Sequence, residues 1–140
     1  MSGNSGSWDE LESAAKRAVA ELDGEGVWFD VACGVAGHGH PLAVAVSSVV
    51  GGSWSVVRAE VKGRGTERRI EGAQLSGLDR PIRVALIHDG TTDEATLRSA
   101  MTAVQVEEAE IVAIVGVASD GLVTVVLGDG FKNKTRETGS

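Results

Sequence analysis

Small apolar side chains at alternate positions constrain this chain more than any other feature. Val27, Phe29, Val31 and Cys33 are spaced by two, and Leu42, Val44 and Val46 repeat the spacing. From Trp54 to Lys62, the row Ser55, Val57, Ala59, Val61 alternates with Val56, Arg58, Glu60 and Lys62. Successive side chains of a strand point to opposite faces, so this period predicts half-buried strands with one face on a core and the other in water. The core must be assembled from small groups, because the aromatic residues are only Trp8, Trp28, Trp54, Phe29 and Phe131. Branched side chains of that size suit a pleated surface better than a helix.

Helical spacing interrupts this pattern twice. Ser7 with Glu10 makes a capping-box pattern ahead of Trp8, Leu11, Ala15, Val19 and Leu22, and Asp23-Gly24 is expected to close that first helix. Thr91 with Glu94 repeats the pattern ahead of Leu97, Met101 and Val104. Residues 67–74, rich in charge, read as an edge strand, and Ile82 to Ile87 as another strand. Glu110 to Ala118 is apolar at nearly every position, as expected of a strand covered on both faces, and Asp120-Gly121 fits a tight hairpin turn into Val123–Leu127. The expected fold class is α+β: a mostly antiparallel sheet of six or seven strands, an N-terminal helix and a second helix near residues 92–105. One domain over residues 7–130 is expected between flexible ends, 1–6 and 131–140, which are polar and without a period.

The lone cysteine, Cys33, rules out an internal disulfide and reads as a small core residue. No apolar run follows a basic stretch at the N-terminus, and none approaches the ~18 residues of a membrane helix, so a soluble cytoplasmic protein with no membrane partner is expected. The net charge is −7, but Arg58 to Arg83 holds seven basic residues against four acids. Overall acidity disfavours nucleic acid, while a local basic hairpin can still meet an acidic partner at short range.

The pair Glu60 and Lys62 places a carboxylate and an ammonium on one strand face, where they could hold Mg²⁺ and orient a water. This resembles the Glu-x-Lys half of the PD-(D/E)xK nuclease superfamily, whose core runs helix, three strands, helix, strand. The resemblance spans residues 8–117 in element order and residues 60 and 62 in motif. It implies a divalent-metal nuclease with Asp30 standing in for the second acid, because Leu42–Val50 contains none.

Other clusters are less complete. His38 and His40, with Cys33 and Asp30 nearby, form a partial ligand set that matches no zinc spacing. His88-Asp89-Gly90-Thr91-Thr92 joins a strand to a helix, where backbone amides can hold an anion; lacking a Gly-Lys-Ser/Thr signature, it reads as capping by Thr91. With no constellation complete, the leading expectation is a non-catalytic binding or adaptor module without a cofactor. It would take a protein or peptide through the sheet face or edge around residues 54–83, using Arg58, Lys62, Arg64, Arg68 and Arg69. The element order is also similar to that of small secretion-chaperone-like domains. A metal-dependent nuclease and an oligomerising structural domain that pairs with its own copy are the alternatives.

Overall fold

The computed structural model describes residues 8–35, 37, 39–58, 69–76 and 79–128. Among them the chain runs α1 (Trp8–Gly24), β1 (Val31–Val35), α2 (Gly39–Val50), β2 (Ser53–Val57), β3 (Ile70–Gly72), β4 (Arg83–Asp89), α3 (Glu94–Val106), β5 (Glu110–Val117) and β6 (Val123–Leu127). The six strands form one sheet in the order β3-β2-β1-β4-β5-β6. Its four central strands are parallel, and only the edge strands β3 and β6 pair antiparallel. This is an α/β fold with a mixed sheet, not the mostly antiparallel α+β sheet expected from the alternating pattern.

The physical reason lies in the coverage of the sheet. Helices α1 and α2 pack on one face, where Ala32, Ala85, Ile87, Ala113 and Val115 meet Ala14, Ala18, Leu22, Leu42 and Val46. Helix α3 packs on the other, where Val31, Cys33, Val84, Leu86 and Ile111 meet Ala100 and Val104. Parallel strands need helical crossovers, and the crossovers bury both faces. All five residues of β1 are therefore buried, as is β5 after Glu110.

Leu42–Val50 is helix, not strand. Leu42, Ala43, Ala45 and Val46 share one buried helical face, while Val44 lies partly outside it. Burial of that face on β1, β2 and β4 overrides the weak strand preference of three alternating apolar residues. Gly51, at φ 71°, ends the helix, and the Gly52 amide donates to the Ser47 carbonyl at 2.9 Å.

Other expectations move by a few residues. Helix α1 runs through Gly24, and Gly26, at φ 72°, supplies the left-handed residue as Val27 N–H donates to Leu22 O at 2.9 Å. Val27 and Phe29 precede β1 and pack on the α1/α2 side. The β2–β3 pairing and the edge position of β3 match expectation, with Arg58 N–H donating to Arg69 O at 2.7 Å. The turn at 63–66 lies outside the described residues. The β5–β6 hairpin also forms, but only Gly121 takes positive φ (89°), and Asp120 instead accepts from Leu122 N–H at 3.0 Å.

Candidate functional site

Strand β1 sends the chain through α2 to β2 on one side, and β4 sends it through α3 to β5 on the other. Between neighbouring β1 and β4 the connections diverge to opposite faces, so their carboxyl ends, with the first turn of α2 beside them, form the switch point of the sheet and the candidate crevice. Ligands of open α/β sheets bind at this switch point.

The β1 side of the crevice is built from glycine. A Cβ on Gly34 would stand 2.7 Å from the Gly39 carbonyl carbon and 3.0 Å from His40 Cα; one on Gly39 would stand 2.7 Å from Ile87 O. Gly37 takes φ 93°. The start of α2 thus lies directly on the ends of β1 and β4, and backbone rather than side chain forms this wall.

The β4 side carries the polar groups. Asp89 Oδ1 accepts from Thr91 N–H at 2.8 Å, from Thr91 Oγ1 at 2.6 Å and from Thr92 Oγ1 at 3.4 Å. Thr92 N–H donates to Asp89 O at 3.3 Å, and Gly90 N–H donates to Val117 O at 2.8 Å, which ties the loop to the end of β5. Helix α3 is capped by Asp93, whose Oδ1 accepts from Thr96 N–H at 2.7 Å; the expected Thr91–Glu94 box does not form. That amide, with the Thr96 hydroxyl, holds the Asp93 carboxyl below its ordinary range. His88 Nδ1 lies 2.6 Å from the Asp89 carbonyl, which can only accept, so Nδ1 carries the proton and Nε2 the lone pair in the neutral ring. Gly116 leaves room for this ring: a Cβ there would stand 3.0 Å from His88 Nε2.

The residues singled out from sequence fall elsewhere. Asp30 sits at the amino ends of β1 and β4, the edge opposite the crevice. Arg80 grips its carboxylate at 2.8 and 2.9 Å, and Arg83 N–H donates to it at 2.8 Å. The Arg80 guanidinium, more than the Arg83 amide, holds the Asp30 carboxyl below its ordinary range. Arg83 also stacks on Trp28 at 4.2 Å. Asp30 is therefore a clamp between strand ends, not a nuclease acid. Arg69 pins β3 to α3 through Ser99 Oγ at 2.8 Å, and Arg58 pairs with Glu71 at 3.2 Å, so both serve the sheet edge. Glu60, Lys62, Arg64, Arg68 and His38 lie outside the described residues. His40 stacks on Trp54 with ring centres 4.9 Å apart. Among the described residues no three His, Cys, Asp or Glu side chains converge as a metal cage. Cys33 is buried in the α3-side core, as expected, and burial pushes its thiol up to about 11. A shallow hollow of about 370 Å³ between α1 and the β5–β6 turn is lined by Arg17, Glu21 and Asp120 among others. Its two carboxylates outnumber its cation, and it lies outside the β1/β4 crevice.

No family model matches the chain. It is 36% identical over 90 residues to the orotate phosphoribosyltransferase of Pyrobaculum aerophilum, covering 64% of this chain and 45% of that relative. The orotate phosphoribosyltransferase of Francisella tularensis superposes with a TM-score of 0.63 at 20% identity, over 81% of this chain and 54% of that one. This is the fold seen in phosphoribosyltransferases. The Mycobacterium tuberculosis orotate phosphoribosyltransferase, solved with inorganic phosphate, superposes with a TM-score of 0.58 at 27% identity, over 76% and 56% of the two chains. The same protein has also been solved with 5-phospho-α-D-ribosyl 1-diphosphate. The chain spans less than half the length of the Pyrobaculum relative.

These likenesses overturn the expected adaptor module, its protein or peptide partner and the nuclease alternative. The similar proteins are enzymes that bind small molecules. The nuclease element order fails on the structure as well, because a helix, α2, separates β1 from β2. Among the described residues, no helix is long and apolar enough to cross a membrane.

The signal for the crevice was present in the sequence. His88-Asp89-Gly90-Thr91-Thr92 stands out as a strand-to-helix junction, but its importance depends on β4 lying beside β1, which no local pattern announces.

Proposed function

We propose that the crevice between the carboxyl ends of β1 and β4 binds a phosphoribosyl diphosphate, and that the chain serves phosphoribosyl transfer. The carrying observation is that a switch-point crevice, walled by bare backbone on one side and by Asp89, Thr91 and Thr92 on the other, occurs in a chain with 36% identity over 90 residues to an orotate phosphoribosyltransferase. The glycine wall at Gly37 and Gly39 lets a phosphoryl group approach main-chain amides closely. Asp89, a strong acceptor oriented by two threonines, suits ribose hydroxyls.

Mg²⁺ fits this arrangement as a companion of the ligand. It commonly binds through one or two carboxylates plus substrate phosphates, so Asp89 suffices on the protein side without an all-protein cage. Bound there, it would supply charge neutralisation to the diphosphate. In the transfer itself, an acceptor nitrogen forms a bond to ribose C1 as the C1–O bond breaks. The diphosphate leaves with the electron pair, and the acceptor loses its proton. Which acceptor the chain uses depends on groups beyond this crevice.

The test is an amide-resolved NMR titration with 5-phospho-α-D-ribosyl 1-diphosphate and Mg²⁺. Shifts should concentrate at Val35, Gly37, Gly39 and residues 89–92. If millimolar ligand left those amides unmoved, the crevice would not be the site.

A further inference from the structure

We infer that His88 is a positioning residue for the crevice: its ring, seated over Gly116, holds the Asp89 carbonyl and so fixes the turn that presents the Asp89 carboxylate. The inference rests on the crevice reading above for its ligand, and on the free protein for its geometry.

The peptide joining Asp89 to Gly90 is held at both ends. Its carbonyl accepts from His88 Nδ1–H at 2.6 Å and from Thr92 N–H at 3.3 Å, and its amide donates to Val117 O at 2.8 Å. A peptide is a rigid plane, so anchoring its oxygen and its nitrogen fixes the backbone dihedral that follows the Asp89 Cα. That dihedral sets whether the chain curls back far enough for Asp89 Oδ1 to accept from Thr91 N–H at 2.8 Å and from Thr91 Oγ1 at 2.6 Å. Of the two donors on the carbonyl, the histidine is the nearer.

The ring is itself held from outside the turn. His88 and Gly116 are register partners on β4 and β5, and a Cβ on Gly116 would stand 3.0 Å from both His88 Cε1 and Nε2. The ring therefore lies against bare backbone of β5, and a larger residue there would push it away. None of the three atoms nearest that Cβ belongs to Asp89, Thr91 or Thr92; they are His88 Cε1, His88 Nε2 and Thr124 Oγ1. A change at Gly116 thus reaches the turn through the histidine. Because the carbonyl can only accept, Nδ1 keeps its proton whether or not Nε2 carries one, and the brace does not depend on the charge of the ring.

Three single variants test this, read first in the free protein by exchange of the Thr91 and Thr92 amides with water, then by affinity for 5-phospho-α-D-ribosyl 1-diphosphate with Mg²⁺. His88→Asn keeps an N–H donor in the place of Nδ1, His88→Leu has none, and Gly116→Ala keeps the histidine but displaces its ring. Thr124 Oγ1, 3.1 Å from the added methyl, belongs to an exposed edge residue and can turn away. H88L and G116A should speed exchange at both amides about fivefold, the reach of one neutral hydrogen bond, and weaken the ligand by about the same factor. H88N should match wild type in both readouts, and so should the double variant H88N/G116A, which has no ring for the methyl to strike. Unchanged exchange in H88L would overturn the inference, as would an H88N loss equal to that of H88L, or unchanged affinity in H88L where wild type binds. A loss spread equally over the amides of β4 and β5 would mark a merely structural role and overturn it too. Failure of wild type to bind the phosphoribosyl diphosphate would sink the crevice reading, while the exchange rates would still judge His88.

Discussion

Replacing Gly34 by alanine adds one methyl group and should remove much of the protein's stability. The added Cβ would lie 2.7 Å from the Gly39 carbonyl carbon and 3.0 Å from His40 Cα. Nonbonded carbons rest at about 3.5–4.0 Å, so the shortfall is about 0.8 Å against the nearer carbon. Neither neighbour is the end of a flexible side chain. Both belong to the first turn of α2, and Gly39 is itself backed by the Ile87 carbonyl, so α2 cannot retreat along β4 without a second clash. Overpacking against rigid backbone lies at the upper end of its usual range, about 3 kcal/mol. With a urea dependence of about 2 kcal/mol per molar, the unfolding midpoint should fall by about 1.5 M. Gly24→Ala provides the control. Gly24 lies in the last turn of α1 with nothing within 4 Å of an added methyl and without positive φ, so the same chemical change should stabilise by about 0.5–1 kcal/mol. Urea unfolding followed by far-UV circular dichroism measures both. A G34A midpoint within 0.3 M of wild type, a margin set at roughly the reach of a surface substitution, would refute the claim that the crevice wall is rigid backbone in contact.

Two further outcomes follow from titrating groups. The Asp30 carboxyl lies below its usual 3.8 because Arg80 and then the Arg83 amide favour its charged form, so its contribution is present above that value and is lost as pH falls through the lower native one. Asp30→Asn should lower the urea midpoint at neutral pH and converge with wild type in acid; a gap that persisted unchanged in acid would show that the charge plays no part. Burial raises the Cys33 thiol from 9.0 to about 11, so native protein at pH 8 should resist a thiol reagent that labels one equivalent after unfolding, and stability should decline as pH climbs from 9 toward 11. Rapid labelling of the native protein would place Cys33 outside the core.

Local pattern carried some of these features plainly. Helices α1 and α3 announce themselves by spacing, β5 by an apolar run too continuous for a one-sided strand, and the β5–β6 turn by Asp120-Gly121. Elsewhere the same pattern misled. Leu42, Val44 and Val46 are spaced like a strand and form a helix, because what lies opposite them is the β1–β4 surface and its burial outweighs propensity. Asp30 looked like a metal ligand because acids are conspicuous. Arg80, fifty residues away, makes it a clamp.

By itself the sequence determined which segments must hide apolar surface and where glycine permits a turn or a close approach. Only the tertiary structure decided strand direction and neighbours, since a single segment's side-chain period is nearly the same in parallel and antiparallel sheets. It likewise placed β4 beside β1, bringing Asp89 to the same edge as Gly34 and Gly39. A junction between chain-distant loops is a property of that adjacency, and among the described residues adjacency is set by the packing of α1 and α2 on one face and α3 on the other.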